Sequence, residues 1–216
     1  MIKQFINRTD ELQLLNSAYA SDRAEFIVVY GRRRIGKTEL IREFIKDKQA
    51  IYYLADERED SQNLSEFRNI VADELNNELL KSSNVGWVDV LKEVSKTKTR
   101  LIVAIDEFPF LINSNKAITS LFQKAWDLYL ENSNIMLILC GSSISMMEQH
   151  VIGVKSPLYG RRTGQIKLNS IEFKYINKFL SSKFSTEELV KIYAITDGIP
   201  YYLKEANFRV KKIKDI

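Results

Sequence analysis

Cysteine, histidine, proline and glycine are all scarce in this sequence of 216 residues, which contains one, one, three and eight of them respectively. Cys140 has no second cysteine to pair with. With His150 alone it cannot build a zinc site or a Cys/His catalytic pair of the usual kind. No apolar run reaches the roughly 18 residues of a membrane-spanning helix, and the N-terminus lacks the apolar core of a signal peptide. We therefore expect a cytoplasmic protein with no membrane partner.

The composition that is present is typical of a folded domain. Hydrophobic residues make up 45% and charged residues 28%, which excludes intrinsic disorder. A chain of this length buries about 70% of the surface that its unfolded form exposes, so its core needs neither a disulfide nor a metal. The net charge of +4 permits a nucleic-acid partner without requiring one.

Short apolar runs alternate with amphipathic stretches of helical period. Five runs predict strands, at residues 25–30, 50–54, 100–105, 135–140 and 164–168. Four are nearly continuous in apolar residues, which is typical of a parallel sheet covered on both faces. Helices are predicted at 38–46, 64–80 and 117–130, and then, with no further strand, at 171–180, 187–195 and 201–210. The pattern predicts an α/β domain over residues 1–168 and a small helical appendage over 169–216.

A phosphate-binding loop lies between the first predicted strand and the helix after it. The segment fits the pattern G-x-x-x-x-G-K-[ST]. Its residues are Gly31, Arg32, Arg33, Arg34, Ile35, Gly36, Lys37 and Thr38. The glycines let successive amides point into one concavity at a helix N-terminus. Lys37 is expected to reach the outer phosphates and Thr38 to bind Mg²⁺. The three arginines are either solvated loop charges or contacts to a phosphate or a partner.

Two acids end the third predicted strand. Asp106 is expected to face the ligand crevice and hold Mg²⁺ through water, and Glu107 to orient and deprotonate the attacking water. The sequence has no Asn-Lys-x-Asp box for reading guanine, because neither Asn115-Lys116 nor Asn177-Lys178 is followed by the aspartate. We therefore expect ATP, with Mg²⁺, as the bound nucleotide.

These segments together resemble the archaeal-type ATPases, a family of P-loop NTPases related to the STAND and AAA+ classes. Residues 30–38 (YGRRRIGKT) are similar to the family's Walker A motif and residues 101–107 (LIVAIDE) to its Walker B motif. The resemblance implies a parallel five-stranded sheet with helices on both faces and a C-terminal helical lid. It also implies that the fourth strand lies between the two strands that carry the motifs.

Further site residues are implied by the resemblance. They are Ile6, Asn7 and Arg8 for the adenine side, Ser142 or Ser143 as polar sensor, Arg161 and Arg162 as arginine-finger candidates, and Pro200 in the lid. Asn7 stands where the family has glycine, and asparagine tolerates the positive φ of that turn. Helix capping is the alternative for the serines, and a structural salt bridge for either arginine.

Two functions follow as hypotheses. One is an ATPase module that acts as a nucleotide-driven switch between lid and core. The other is a DNA-associated ATPase motor or a defence or nuclease-coupled component. The family usually continues past this point, so a DNA or protein partner is expected through a downstream region, and self-association through Arg161 and Arg162. The residues from Lys204 to Ile216 carry a net charge of +3, which we expect to give only weak DNA binding.

Overall fold

A computed structural model describes residues 6–82, 84–180 and 184–209, with side chains to residue 205. Its five strands form one parallel sheet in the order β2-β3-β4-β1-β5. They are β1 (Glu25–Gly31), β2 (Ala50–Leu54), β3 (Leu101–Asp106), β4 (Ile135–Gly141) and β5 (Gly164–Leu168). The prediction that β4 lies between β1 and β3 is confirmed. Every residue of these three central strands is buried, which explains their continuous apolar sequence.

Ten α-helices lie in the described part of the chain. They are α1 (Thr9–Tyr19), α2 (Lys37–Ile45), α3 (Asp60–Glu74), α4 (Glu78–Ser82), α5 (Trp87–Ser95), α6 (Pro109–Ser114), α7 (Ile118–Ala125), α8 (Ile144–Met147), α9 (Thr186–Thr196) and α10 (Pro200–Arg209). None of the helices in the described ranges is long and apolar enough to cross a membrane.

Alternate residues of a strand point to opposite sides of the sheet, so the apolar strands present two apolar faces. Helices cover both of them. Side chains such as Phe26 and Val103 belong to a core that includes α3, α5 and α7. Their neighbours Ile27 and Ala104 belong to a second core, against α1 and α2. The predicted α/β fold with helices on both faces is therefore confirmed.

Three helix predictions were wrong in detail. The stretch 64–80 is not one helix, because the chain turns after α3 at Asn76, which has a φ of 52°. The stretch 117–130 continues α7 as a π-helix over Trp126–Leu130. The stretch 171–180 forms a 3₁₀ helix, Phe173–Phe179. Local periodicity finds these segments, but it does not distinguish among helix types whose hydrogen bonds differ by one residue.

The C-terminal elements have an apolar cluster of their own, separate from the two sheet cores. Ile176, Leu189, Ile192 and Leu203 are among its buried members. We call the elements from the 3₁₀ helix to α10 the lid. The boundary at 168/169 stays a prediction. Apart from Lys204 and Glu205, the side chains of the basic stretch 204–216 lie outside the described residues.

Candidate active site

The phosphate loop connects β1 to α2, with its two glycines at positions where a side chain would clash or strain the backbone. Gly31 passes so close to β5 that a Cβ would lie 2.5 Å from the carbonyl oxygen of Leu168. Gly36 has a φ of 97°, in the region that favours glycine. The loop therefore reaches the N-terminus of α2 in the conformation that the motif predicts.

Lys37 is folded back over the loop that it ends. Its Nζ donates to the carbonyl oxygens of Gly31 and Arg32, each at 3.0 Å, and the residue is buried. These two bonds hold the ammonium at the mouth of the loop, where the dipole of α2 also favours an anion.

Asp106 and Thr38 meet at the end of β3. The hydroxyl of Thr38 donates to Oδ2 of Asp106 at 2.6 Å, and the carboxylate is fully buried. No group of three or more His, Cys, Asp or Glu side chains within the described ranges could hold a metal ion alone. A hydroxyl beside a carboxylate nevertheless fits Mg²⁺, which prefers oxygen ligands and usually takes few from the protein, adding phosphates and water.

Glu107 follows Asp106 with a φ of 53°, a left-handed conformation that is uncommon for a side-chain-bearing residue. Its Oε2 accepts bonds from the hydroxyl of Ser142 at 2.7 Å and from the Ser142 backbone N–H at 3.3 Å. Ser142 follows β4, so the strand order brings it beside the end of β3. The structure therefore brings the predicted base and the predicted sensor into direct contact.

A cavity of about 170 Å³ lies beside the loop, between the core and the lid. Five of the residues expected at the nucleotide line it, namely Ile6, Arg8, Ile35, Gly36 and Pro200. Asn7 has a φ of 63°, so the turn expected there does form with asparagine. Arg8 is buried and donates to the carbonyl oxygens of Asn169 at 2.6 Å and Ile35 at 3.3 Å, which ties this segment to the residue after β5 and to the loop.

The sequence matches, over residues 5–206, a family described as an ATPase domain predominantly from Archaea. The chain belongs to this archaeal ATPase family. An uncharacterized protein of Methanocaldococcus jannaschii is 42% identical over 201 residues, which are 93% of this chain and 44% of that protein. The chain thus spans less than half the length of this relative.

Two solved structures share the fold at low sequence identity. A Walker-type ATPase of Pyrococcus abyssi has a TM-score of 0.67 at 18% identity, covering 96% of this chain and 68% of that one. The ORC2 protein of Aeropyrum pernix, solved as ADPNP-ADP complexes, has a TM-score of 0.62 at 15% identity, covering 97% and 64%. The archaeal ATPase domain therefore has the fold of the P-loop ATPases.

The finger candidates of this ATPase domain contact their own chain outside the phosphate loop. Arg161 makes a two-pronged ion pair with Asp127, at 2.6 and 2.7 Å. Arg162 donates to the carbonyl oxygen of Ile152 at 2.8 Å. The salt bridge that we considered for Arg161 is present, and a catalytic role of either arginine stays a prediction.

Two of the three loop arginines of the ATPase domain hold the lid. Arg32 pairs with Asp197, after α9, at 2.5 Å. Arg34 donates to the hydroxyl of Tyr202 at 3.0 Å, and its guanidinium lies 4.5 Å from the ring centroid of Tyr201. Arg33 is exposed on the same loop. Contact with a phosphate or a partner was one expectation for these arginines and stays a prediction, while two of them contact the lid of the same chain.

Sequence reasoning missed three kinds of site residue. Asp197 and the tyrosine pair bind the loop, Phe179 lines the cavity, and Tyr52 of β2 donates to Oδ2 of Asp106 at 3.0 Å. Burial and the charge of Asp106 raise the pKa of Tyr52, so its hydroxyl keeps the proton that it donates. Tyr52 reads in the sequence as one apolar residue of a strand, and its only signal was that β2 precedes the strand that carries Asp106.

Proposed function

We propose that this domain binds ATP with Mg²⁺, hydrolyses it, and uses the bound nucleotide to switch the lid against the phosphate loop. The single observation that carries the proposal is the pair of contacts from Arg32 and Arg34 to the lid. The loop that would bind the phosphates also contacts the lid through these two arginine side chains. The phosphates and the lid would therefore compete for the same guanidinium groups.

The phosphate side of the site supports hydrolysis. Lys37 would hold the outer phosphates, while Thr38 and Asp106 would hold Mg²⁺, which neutralises charge on the transferring phosphoryl group when bound. Glu107 would take the proton of the attacking water, and Ser142 would aim its carboxylate through the bond at 2.7 Å. Each of these roles asks for positioning and charge, which dominate phosphoryl transfer.

The cavity expected to hold the adenine ring supports a lid that responds to the nucleotide. The cavity takes Ile35 and Gly36 from the core, and Phe179 and Pro200 from the lid. An adenine placed between these walls would contact both parts at once. A base bound there adds contacts across the cleft, while phosphates in the loop attract Arg32 and Arg34 away from the lid.

The strength of the lid contacts suits a reversible switch. Arg32 and Asp197 are 58% and 61% exposed, and exposed ion pairs contribute about 0–1 kcal/mol. The Arg34 stack on Tyr201 adds on the order of 0.5–1 kcal/mol at an exposed site. Together they amount to about 0.5–2 kcal/mol, so a difference of that size in nucleotide affinity between two lid positions would be enough to reverse them.

Hydrogen exchange of the lid in the apo, ATP-bound and ADP-bound protein tests the switch. We expect exchange in residues 197–205 to differ between the ATP and ADP states. Asp197→Asn should reduce the difference between the apo and ATP states, since the apo contact is already weakened. Glu187→Gln is the matched control, because Glu187 is on α9 and pairs with Lys191 on its own helix. Identical exchange in all three states would refute the switch while leaving nucleotide binding intact.

A further inference from the structure

Tyr52 connects the edge of the sheet to the carboxylate expected to hold the metal. It lies in the middle of β2, where it pairs in register with Ala104 of β3. Its side chain is half-buried on the face of the sheet that packs against α2. The phenolic hydroxyl donates to Oδ2 of Asp106 at 3.0 Å, from a strand that carries neither nucleotide motif.

The Asp106 carboxylate accepts hydrogen bonds from three N–H and O–H donors, and the buried thiol of Cys140 on β4 also bonds to it. Oδ2 accepts from Thr38 at 2.6 Å and from Tyr52, and Oδ1 accepts from the backbone N–H of Glu107 at 2.9 Å. Thr38 belongs to the phosphate loop, and Glu107 directly follows Asp106 in the chain. In the proposed function both residues take part in nucleotide binding or hydrolysis themselves. Tyr52 is the oxygen donor that stands on a paired strand away from the phosphates, whereas Cys140 on β4 offers only a weak S–H donor.

The phenol itself is held in place. The Arg42 guanidinium of α2 lies over the Tyr52 ring, 5.5 Å from its centroid. The strand pairing positions the backbone of Tyr52, and its half-buried side chain packs on the face covered by α2. A donor supported in this way favours one orientation of the carboxylate, because rotation of the Asp106 side chain would break the hydrogen bond.

We propose that Tyr52 is a positioning residue of the metal site, whose hydroxyl keeps Oδ2 of Asp106 turned toward Mg²⁺ beside Thr38. The proposal rests on the proposed function, and it adds that the Mg²⁺ affinity of the nucleotide-bound domain depends on β2. Arg42, which lies over the Tyr52 ring, lines the cavity, but Tyr52 itself neither lines it nor belongs to the loop. Removing only the hydroxyl and keeping the ring should therefore leave ATP binding without the metal nearly unchanged.

Tyr52→Phe tests the assignment by removing one oxygen and keeping the ring. ATP binding is measured by calorimetry, first in EDTA and then across a Mg²⁺ titration. The Kd for ATP in EDTA should stay within about twofold of the wild type. The Mg²⁺ concentration that gives half of the metal-dependent gain in affinity should rise about tenfold, the loss expected for one hydrogen bond to a charged group.

Tyr53→Phe is the matched control. Tyr53 is the next residue of β2 but points to the opposite face, where its hydroxyl donates to Asn63 at 2.5 Å. This variant should lower thermal stability and leave the Mg²⁺ midpoint unchanged. An unchanged midpoint in Tyr52→Phe, or an equal loss of ATP affinity in EDTA, would overturn the role of Tyr52. If the ATP affinity of the wild-type domain did not change with Mg²⁺ concentration, the proposed function itself would be refuted.

Discussion

Replacing Glu107 by glutamine separates chemistry from binding in this domain. Glutamine has the same shape and can accept the two Ser142 bonds through its amide oxygen, so the contacts at 2.7 and 3.3 Å can persist. The left-handed backbone at φ 53° is present in both forms, so its cost cancels in the comparison. We therefore expect a change in the free energy of unfolding of no more than about 1 kcal/mol. The amide cannot take a proton from water, so turnover should fall by roughly 10² or more, or about 2.7 kcal/mol in the barrier.

Single-turnover hydrolysis with enzyme in excess measures this loss, and nucleotide titration measures binding on the same samples. Glu107→Gln should bind ATP as the wild type does. Lys37→Ala is the contrasting variant, because it removes the ammonium held at the mouth of the loop and should weaken binding itself. If Glu107→Gln hydrolysed ATP at the wild-type rate, Glu107 would not be the general base, and its contact with Ser142 would be purely structural.

The remaining predictions concern selectivity for adenine over guanine, the arginine-finger candidates and DNA. Competition binding should favour ATP over GTP clearly, and equal affinity would contradict the adenine assignment. Arg161→Ala should lower the free energy of unfolding by about 1 kcal/mol, as Asp127→Ala should, because the pair is partly exposed; a turnover loss in Arg161→Ala beyond that of Asp127→Ala would indicate a finger. Arg161 holds the pKa of Asp127 below its usual range, so the pair's contribution is present above the ordinary aspartate pKa and is lost as pH falls through the lowered value; a pH-independent difference between Asp127→Ala and the wild type would contradict this. Saturating duplex or single-stranded DNA at low salt should raise ATP turnover less than tenfold, and a larger effect would favour the motor.

The parts of the site that are local in sequence could be predicted. The phosphate loop is local because its glycines, lysine and threonine must follow one another to wrap a phosphate. Asp106 and Glu107 could be placed because a buried strand ends there, at the edge where parallel strands present their ligands. The three central strands were found for a similar reason, since burial on both faces leaves continuous apolar runs.

The parts that depend on distant contacts could not be predicted. Arg32 and Asp197 are 165 positions apart, and nothing in either segment specifies the other. In the sequence Tyr52 is indistinguishable from a core residue, and its contact with Asp106 depends on the strand order that places β2 beside β3. The break between α3 and α4 depends on a left-handed Asn76, and asparagine is tolerated in many conformations. In each case tertiary packing, rather than local preference, decides the outcome.

The strand order also brings the parts of the proposed switch next to one another. Because β4 lies between β1 and β3, Ser142 stands next to Glu107, and the loop after β1 lies on the other side of the same strand. The loop in turn contacts the lid through Arg32 and Arg34, while Ile199 of the lid is buried in the core that includes α2. A ligand can shift this arrangement only by as much as it binds one lid position better than the other. Since the exposed loop contacts amount to about 0.5–2 kcal/mol, the proposed switch needs only a comparable difference in nucleotide affinity between the two lid positions.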